Sequence, residues 1–299
     1  MIPNMKFYVI SIVALFAALG IGIYIGFTLD AQNLIDEQKE SIVDEIEKRF
    51  DFLSKENNEL KQSLDEVEAE NDNYKYFIDS TYQETIKNKL LDTKVAIIET
   101  KSDYMYSGIG QVLDMSGADV VNVTTISDKF LNKDLLMELY NKLNIQVPKD
   151  NLTENTIIKL TEAIIKGEPT ALVTKLIDDE FIDLVGLVNE DIDYIIIAGG
   201  STTEEEERIN LIDKTIVNIS KDMSVPIIGV EKSRSNYSYM EAYKELGIST
   251  VDNIDTTIGK VSLILAMEGR PGHYGTSQTA EQLIPKLNLP LVEYFEESE

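Results

Sequence analysis

The chain has 299 residues, of which 53 are acidic and 27 basic, so its formal net charge is −26. Because this charge would repel phosphate, the composition argues against a nucleic-acid partner and against tight docking on an anionic bilayer surface. The absence of cysteine and the single histidine, His273, remove the usual ligands of zinc and copper.

The first predicted element is an uncharged run of 23 residues, 7–29, with the sequence FYVISIVALFAALGIGIYIGFTL. A helix of this length spans roughly 35 Å, which is enough to cross a bilayer. A buried core helix rarely runs this far without a polar stripe. A cleaved signal peptide is shorter and is followed by a small-x-small site, which this run lacks. The run therefore predicts an uncleaved transmembrane anchor over residues 1–30.

The charges on the two sides of the anchor predict its orientation. Lys6 and the α-amino group precede the apolar run, whereas Asp30, Asp36 and Glu37 follow it. Because positively charged flanks remain in the cytoplasm, we expect a cytoplasmic N-terminus and an extracytoplasmic location for the bulk of the chain. The lack of cysteine agrees with export.

One face of the anchor carries a small residue at every fourth position, namely Ala14, Ala18, Gly22 and Gly26. Small residues let two helix backbones approach closely, as they do in GxxxG pairs. Although small residues are common in membrane helices, four of them in register favour pairing with a second copy.

Residues 31–91 contain neither proline nor glycine and carry a heptad repeat. The d positions are Ile46, Leu53, Leu60, Val67 and Tyr74, and the a positions are Val43, Phe50, Asn57, Leu64, Asn71 and Ile78. This pattern predicts a coiled-coil stalk, and asparagine at two a positions, Asn57 and Asn71, favours a parallel two-stranded coil with a fixed register. The alternative is a single amphipathic helix that lies on the surface of the following domain.

From Lys94 onward, strand patterns alternate with helix patterns. The predicted strands are 94–99, 118–126, 193–200, 225–231 and a shorter one that starts at 248–250. The predicted helices include 105–117 and 155–167, which end at Gly117 and Gly167, and helix-favouring sequence fills 129–190, including EFIDLVGLV at 180–188. The alternation predicts an α/β domain over residues 92–299 with a doubly wound, mainly parallel sheet of the flavodoxin or Rossmann type.

The stretch AGGSTTEEEER at 198–208 comes nearest to an anion-binding turn, because two glycines follow a strand and precede a helix. It lacks the GxGxxG and GK[ST] patterns of nucleotide-binding loops. Ser201, Thr202 or Thr203 with a glutamate three residues later would form a capping box, and the glutamates would repel a phosphate. We therefore interpret the stretch as a helix start and predict no cofactor.

The sequence contains no recognisable catalytic constellation, since His273 has no cysteine to activate and there is no GxSxG elbow. Asp252 and Asp255 could bind a cation, but two carboxylates on a loop more often cap a helix or a turn. The eight methionines are scattered, whereas copper(I) requires clustered sulfur ligands. We expect neither an enzyme nor a metal site.

Two stretches carry a family pattern. In the anchor the matching positions are Ser11, Ala14, Phe16, Ala18, Leu19, Gly22 and Gly26. In VDNIDTTIGKVSLILAMEGRPGHYG, near the end, they are Asp252, Asn253, Asp255, Gly259, Gly272, Tyr274 and Gly275. With the order of anchor, coiled coil and α/β domain, these motifs resemble the MctB-like family of bacterial membrane-anchored envelope proteins. The resemblance implies a membrane location and a role in copper transport or homeostasis, and some relatives look like partners of cell-envelope and division proteins.

Two classes of function stay open at this point. The family resemblance implies copper transport or homeostasis. The residues favour a non-catalytic scaffold, a homodimer through anchor and coiled coil, that docks a cell-envelope or division partner. Because one helix per chain cannot form a pore alone, direct transport would need further subunits.

Overall fold

A computed structural model gives the architecture of residues 5–106 and 108–286, with no side chains described at 30–38 and 40. The first helix, α1, runs over Met5–Ile86. Within the described part of the chain, Met5–Leu29 is the one helical stretch long and apolar enough to cross a membrane. The chain divides between Lys75 and Tyr76 into two compact units, and each is described by itself.

In the first unit, α1 leaves its heptad side chains in solvent. The exposed fractions at a and d positions run from 54% at Val43 and Val67 to 71% at Phe50. Asn57 and Asn71 are exposed as well. The bounds of α1 confirm the predicted helix. Its pairing into a coiled coil stays a prediction. The flanking charges Asp30, Asp36 and Glu37 lie outside the described side chains.

The second unit is built on a seven-stranded sheet with the strand order β3-β2-β1-β4-β5-β6-β7. The strands are β1 (Lys94–Glu99), β2 (Asp119–Ile126), β3 (Ile182–Gly186), β4 (Tyr194–Ala198), β5 (Ile227–Val230), β6 (Ser249–Val251) and β7 (His273–Tyr274). Neighbouring strands are parallel except for the β2–β3 pair, which is antiparallel. The mainly parallel α/β sheet predicted from the sequence is confirmed.

Helices cover both faces of this sheet. They are α2 (Gly108–Ser116), α3 (Lys133–Lys142), α4 (Leu152–Lys166), α5 (Ala171–Asp178), α6 (Glu206–Arg208), α7 (Lys214–Asp222), α8 (Met240–Glu245) and α9 (Thr257–Met267). A 3₁₀ turn, Asp128–Leu131, precedes α3, and a π-helical turn, Ile209–Asp213, joins α6 to α7. Alternate residues of β4 face opposite cores, because side chains alternate along a strand: Ile195 and Ile197 face one and Ile196 the other.

The last turns of α1 belong to this second unit. Ile86 is fully buried in the core that α2 and α9 cover. Nearby, the Tyr82 hydroxyl lies 3.7 Å from the sulfur of Met115. The segment predicted as stalk thus contributes its final turns to the core of the α/β domain.

The helical interpretation of EFIDLVGLV at 180–188 is wrong, because its central residues form β3. Its residues pair with β2 in antiparallel register, from Ile182 opposite Ile126 to Gly186 opposite Asn122. Gly186 has a φ of +92°, which a helix does not contain, and a Cβ there would lie 2.3 Å from the Val121 carbonyl oxygen. The β-branched residues Ile182 and Val185 fit a pleated edge better than a helix face.

The helix ends predicted at Gly117 and Gly167 are confirmed. Gly167 caps α4 with a φ of +62°, and a Cβ there would lie 2.2 Å from the carbonyl carbon of Glu190. Only glycine satisfies both conditions, since a left-handed residue at a helix end avoids strain when it has no Cβ.

The close contact between β5 and α8 yields a stability prediction. A Cβ on Gly229 would lie 2.3 Å from Cδ2 of Tyr243, whose fully buried ring has no room to move. We expect Gly229→Ala to destabilise the domain by about 1–3 kcal/mol, because overpacking forces strained side chains and backbone shifts. Thermal unfolding followed by near-ultraviolet circular dichroism, which reports buried tyrosines, measures the change.

Gly110→Ala is the matched control, because this glycine lies inside α2 and a Cβ there would meet nothing within 4 Å. It should be neutral or stabilise the domain by up to about 1 kcal/mol. Equal effects of the two substitutions would contradict the packing described at β5.

Candidate functional site

The carboxyl ends of β1, β4, β5 and β6 meet at one edge of the sheet, and polar residues follow each of them. The strand order reverses between β1 and β4, because β1 leads on to β2 on one side and β4 leads on to β5 on the other. Ligands of doubly wound folds bind beside such a reversal. This edge is therefore the first place to look for a binding or catalytic site.

A buried ion cluster occupies the reversal point. Arg208, at the end of α6, is fully buried, and its guanidinium donates to the carbonyl oxygen of Thr100 and to the carboxylate of Asp128. Lys101 pairs with Glu205 beside it. The carboxylate of Glu205 also lies 3.7 Å from Nε of Arg208. Because buried charges are costly unless they are paired, these contacts account for how Arg208 is tolerated inside the fold.

Asp213 lies in the same cluster and is fully buried. Its Oδ1 accepts hydrogen bonds from Thr100 Oγ1, at 3.0 Å, and from the hydroxyl of Tyr243. Burial raises the pKa of Asp213 to about 7, although these two hydrogen bonds and the charge of Arg208 oppose the rise. A protonated Asp213 is thus a normal state of the folded domain near neutral pH.

A second buried carboxyl, Glu231, lies directly after β5. Its Oε2 accepts a hydrogen bond of 2.7 Å from the backbone N–H of Tyr239, at the far end of the loop 232–239. Burial raises the pKa of Glu231 to about 7. The same loop bonds to the residue after Gly200, since Ser201 and Tyr237 exchange two backbone hydrogen bonds of 2.9 and 3.0 Å. Glu231 therefore holds a loop closed over the end of β4.

The two glycines that suggested an anion-binding turn are explained by packing inside the protein. A Cβ on Gly199 would lie 2.4 Å from the hydroxyl oxygen of Tyr243. A Cβ on Gly200 would lie 2.5 Å from Oγ of Ser235, and the φ of Gly200 is +91°. The space that a phosphate would take beside these glycines is occupied by side chains of this chain.

The capping box predicted at Ser201, Thr202 and Thr203 is wrong. Thr202 donates its backbone N–H and its hydroxyl to Asp103, at 2.8 and 2.7 Å, and Ser201 donates its hydroxyl to the carbonyl oxygen of Thr203. The residue before α6 is Glu205, which makes no side-chain capping bond. These hydroxyls bind loop residues instead of capping α6, because α6 begins too far along the chain for them to reach its N–H groups.

Residues of the C-terminal motif connect the end of β6 to the segment that follows β7. Asp252, after β6, accepts backbone hydrogen bonds of 2.8 and 2.9 Å from Thr276 and Ser277, beyond β7. A Cβ on Gly275 would lie 1.8 Å from Oδ1 of Asp252, and a Cβ on Gly259 would lie 2.0 Å from the carbonyl oxygen of Asn253. The motif glycines are therefore required by close approaches within the chain.

The other motif residues also make contacts within the chain. The Tyr274 hydroxyl donates to the carbonyl oxygen of Arg270 at 2.8 Å, and a Cβ on Gly272 would lie 2.6 Å from that hydroxyl oxygen. Asp255 accepts from the backbone N–H and hydroxyl of Ser233, at 2.8 and 2.9 Å. Asp252 and Asp255 thus bind separate loops.

Metal-ligating groups do not converge in the described part of the chain, where no cluster of three or more His, Cys, Asp and Glu side chains is found. His273 bonds through Nδ1 to Thr250 Oγ1 at 3.0 Å, and burial lowers its pKa. Met240 is buried in one core and Met267 in the other. Of the eight methionines, Met1 lies outside the described residues.

Sequence reasoning missed Arg208, Asp213 and Glu231. A signal was present for the first two, since they flank the apolar residues of INLID and a charged residue at each end of such a run is unusual on a buried helix. The π-helical turn that brings both inward carries no local sequence signature. Glu231 had a signal too, because it ends the predicted buried strand 225–231.

The predicted pairing residues of α1 lie where the sequence places them. Nothing lies within 4 Å of a Cβ built on Gly22 or Gly26, so this face of the anchor is open to a partner helix. Ala14 and Ala18 are exposed on the same helix, as are the stalk asparagines, Asn57 and Asn71. Their pairing role stays a prediction.

Comparison with known proteins identifies one family and no curated relative. The model of a family described as "Copper transport outer membrane protein, MctB" matches residues 1–285. No curated protein matches the chain significantly. Among solved structures, the crystal structure of an enoyl-(acyl-carrier-protein) reductase from Anaplasma phagocytophilum, in complex with NAD, is 14% identical, covers 65% of this chain and 74% of its own, and has a TM-score of 0.28. A TM-score this low carries no argument about fold or function.

The titration of Asp213 yields a prediction about stability. Its folded pKa of about 7 lies above its value of roughly 3.9 in an unfolded chain. The folded state therefore keeps a proton that the unfolded state releases, so the contribution of Asp213 to stability is fully present below pH 4 and is lost as pH rises through 7. Asp213→Asn keeps an acceptor for Thr100 and Tyr243 and should remove this loss, which is at most about 4 kcal/mol.

Urea unfolding of the full chain in detergent at pH 4 to 8 measures this slope. Glu231 adds a loss of the same sign, because its pKa is also raised to about 7, so Asp213→Asn combined with Glu231→Gln should give the flattest profile. An unchanged slope in Asp213→Asn would show that this carboxyl is ionised throughout.

Proposed function

Because the chain belongs to the family described as copper transport outer membrane protein, MctB, we propose that it is a membrane-anchored envelope protein that works as a scaffold. In this proposal two copies pair in parallel through their anchors and stalks, and each presents its α/β domain outside the cytoplasm. The domain docks a cell-envelope or division partner and carries out no chemistry itself.

The observation that carries the scaffold proposal is the exposed heptad seam of α1. Large apolar side chains such as Phe50, Leu53 and Leu60 are more than half exposed in a single chain. Apolar a and d positions lose this exposure when two helices interlock, and Asn57 and Asn71 then face their counterparts. Burying the seam against a second copy is therefore favourable, and the anchor makes the two copies parallel.

The polar edge of the α/β domain supports a non-catalytic role. The guanidinium of Arg208 and the carboxylate of Glu231 bind groups of the chain itself, and the loop 232–239 closes over the strand ends. An enzyme of this fold class would use the same edge to hold its ligand in a crevice. Around Arg208 and Glu231 the contacts are those of a structural network.

A copper role is the second candidate, and the family description favours it. Copper(I) sites need clustered sulfur or imidazole ligands, and the chain has no cysteine and one histidine. We propose that any contribution to copper transport is indirect, through a partner that holds the metal. A single anchor per chain also needs further subunits to form a path across the membrane.

The stalk gives the sharpest test of the scaffold. Leu60→Asp places a charge at a d position, where pairing would bury it without a partner. We expect the full chain in detergent to sediment as a dimer and the variant to shift towards monomer by at least about tenfold in dissociation constant. Sedimentation in density-matched detergent measures both.

Asn58→Asp is the matched control, because it adds the same charge two residues away at a b position, which faces solvent in a coiled coil. It should sediment like the unmodified chain. Asn57→Ile with Asn71→Ile should raise the melting temperature of the stalk and broaden its range of oligomers, since the asparagines disfavour other registers and trimers. A chain that is monomeric at high micromolar concentration would contradict the dimer.

The indirect copper role is tested by titrating the full chain with copper(I) in competition with a chelator. We expect no stoichiometric site, because the chain offers isolated methionines and one histidine whose ring nitrogen bonds Thr250. A site that survives a high-affinity chelator would replace the indirect role with a direct one.

A further inference from the structure

A cavity of about 180 Å³ opens at the edge of the sheet where the carboxyl ends of β1, β5 and β6 lie. Its walls come from the segments that follow these three strands and from the first turns of α2 and α9. Ligands of doubly wound folds bind outside the carboxyl ends of the strands. The cavity therefore occupies the part of the fold that is suited to a small molecule.

Two lysine side chains reach the same wall of this cavity from different elements. Lys232 follows β5, and its Nζ lies 5.6 Å from the ring centroid of Tyr106. Lys260 belongs to the first turn of α9, and a Cβ on Gly108, the first residue of α2, would lie 3.4 Å from its Nζ. Both ammonium groups thus lie against the wall that Tyr106 and Gly108 form.

The positive charge of these two lysines is not neutralised by ion pairing. Lys89, elsewhere in the domain, pairs with Glu268 at 2.7 Å, whereas neither Lys232 nor Lys260 forms an ion pair with any residue in the described ranges. This is unusual on a chain whose net charge is −26, because carboxylates are abundant. Like charges that share a site repel each other, and a bound anion relieves the repulsion.

The charge balance of the lining indicates what charge the anion carries. Asp255 is the carboxylate among the lining side chains, and its two oxygens accept hydrogen bonds of 2.8 and 2.9 Å from the backbone N–H and hydroxyl of Ser233. The lining side chains therefore carry two positive charges and one negative charge. A single negative charge on the ligand balances this set, whereas a doubly charged phosphate monoester would place an excess charge beside Asp255. The balance favours a carboxylate.

The remaining walls are apolar. Ile109 and Ile254 are 1% and 2% exposed, and the hydroxyl of Tyr106 donates to the carbonyl oxygen of Gly199, which fixes the ring in place. Met105 is 73% exposed, so it lies on the solvent side. An apolar cavity of roughly 150 Å³ holds a benzene molecule. The 180 Å³ found here thus has room for an apolar body of the size of one ring.

We propose that this cavity binds a small organic carboxylate. The carboxylate group pairs with the ammonium groups of Lys232 and Lys260, and the apolar body packs on Ile109 and Ile254. The site adds ligand binding to the scaffold proposed above and does not depend on the dimer, because every residue that lines it belongs to one α/β domain.

The test uses benzoate as the probe and the ε-methyl resonance of Met105 as the readout. The full chain in detergent is labelled with ¹³C at its methionine methyl groups, and Met105→Leu assigns the resonance. Benzoate should shift this resonance with a saturable Kd of about 1 mM or tighter, while Met240 and Met267, buried in the two cores, should not respond. Benzamide has the same ring without the charge, so it should bind at least about tenfold more weakly.

Lys232→Gln and Lys260→Gln should each weaken benzoate binding at least about fivefold, because each removes one of the two charges that hold the carboxylate. Both side chains are partly exposed, so neither substitution should unfold the domain. Lys214→Gln is the matched control, since Lys214 is an exposed residue of α7 outside the cavity, and it should bind benzoate as the unmodified chain does.

Four results would overturn the proposal. They are a Met105 resonance that benzoate does not shift, equal binding of benzamide, unchanged binding in both cavity variants, and tighter binding of phenyl phosphate than of benzoate, which would indicate a phosphate ligand. Sedimentation of the stalk variants tests the dimer and these methyl resonances test the cavity, so the two proposals can fail separately.

Discussion

The α/β domain depends on the burial of its central strands on both faces. β1 and β4 are runs of β-branched residues that are covered from both sides, so helices must pack above and below them. This leaves the strand ends and the two sheet edges as the places where polar groups can meet. The buried cluster around Arg208 and Asp213 occupies one strand end, where Arg208 pairs with Asp128 and Asp213 accepts hydrogen bonds from Thr100 and Tyr243.

At the end of β4 the sequence resembles an anion-binding turn, whereas the structure fills the space beside that turn with side chains. The AGG turn after β4 has the glycines of a phosphate loop, yet Tyr243 and Ser235 fill the space beside them. Glu231 then ties the loop 232–239 across the same strand end. The space at the end of β4 is therefore used for internal packing.

Residue patterns predicted most of the fold, because a long uncharged apolar run suits a membrane-spanning helix and a β-branched run suits a buried strand. The anchor helix, the five predicted strands and the glycine caps at Gly117 and Gly167 lie where the sequence places them, and the stalk is helical as far as Ile86, although its last turns belong to the α/β domain. β3 was missed because nine residues of EFIDLVGLV fit a helix face as well as an edge strand, and its pairing with β2 is a tertiary choice. β7 was not predicted because a strand of two residues is too short to show the alternation of buried and exposed side chains.

The candidate site was less predictable than the fold. Asp252 and Asp255 accept hydrogen bonds from backbone N–H groups of two distant loops, at Thr276 and Ser233, whereas the helix that follows them is capped by Thr256. The capping box at Ser201–Thr203 failed because α6 begins two to four residues later than the three possible caps indicate. Arg208 and Asp213 meet through a π-helical turn, which tertiary packing imposes and local sequence does not encode.

The central claim, a parallel dimer that stands outside the cytoplasm, is tested most directly by one introduced cysteine in a chain that has none. Asn71→Cys places a thiol at an a position, where two parallel helices bring the same residue face to face. In intact cells we predict a disulfide-linked dimer in the oxidising exterior, and Asn73→Cys, at the outward c position, should stay largely monomeric and react with an impermeant maleimide. Equal crosslinking of the two variants, or a thiol at Asn73→Cys that the maleimide reaches only after lysis, would contradict the account.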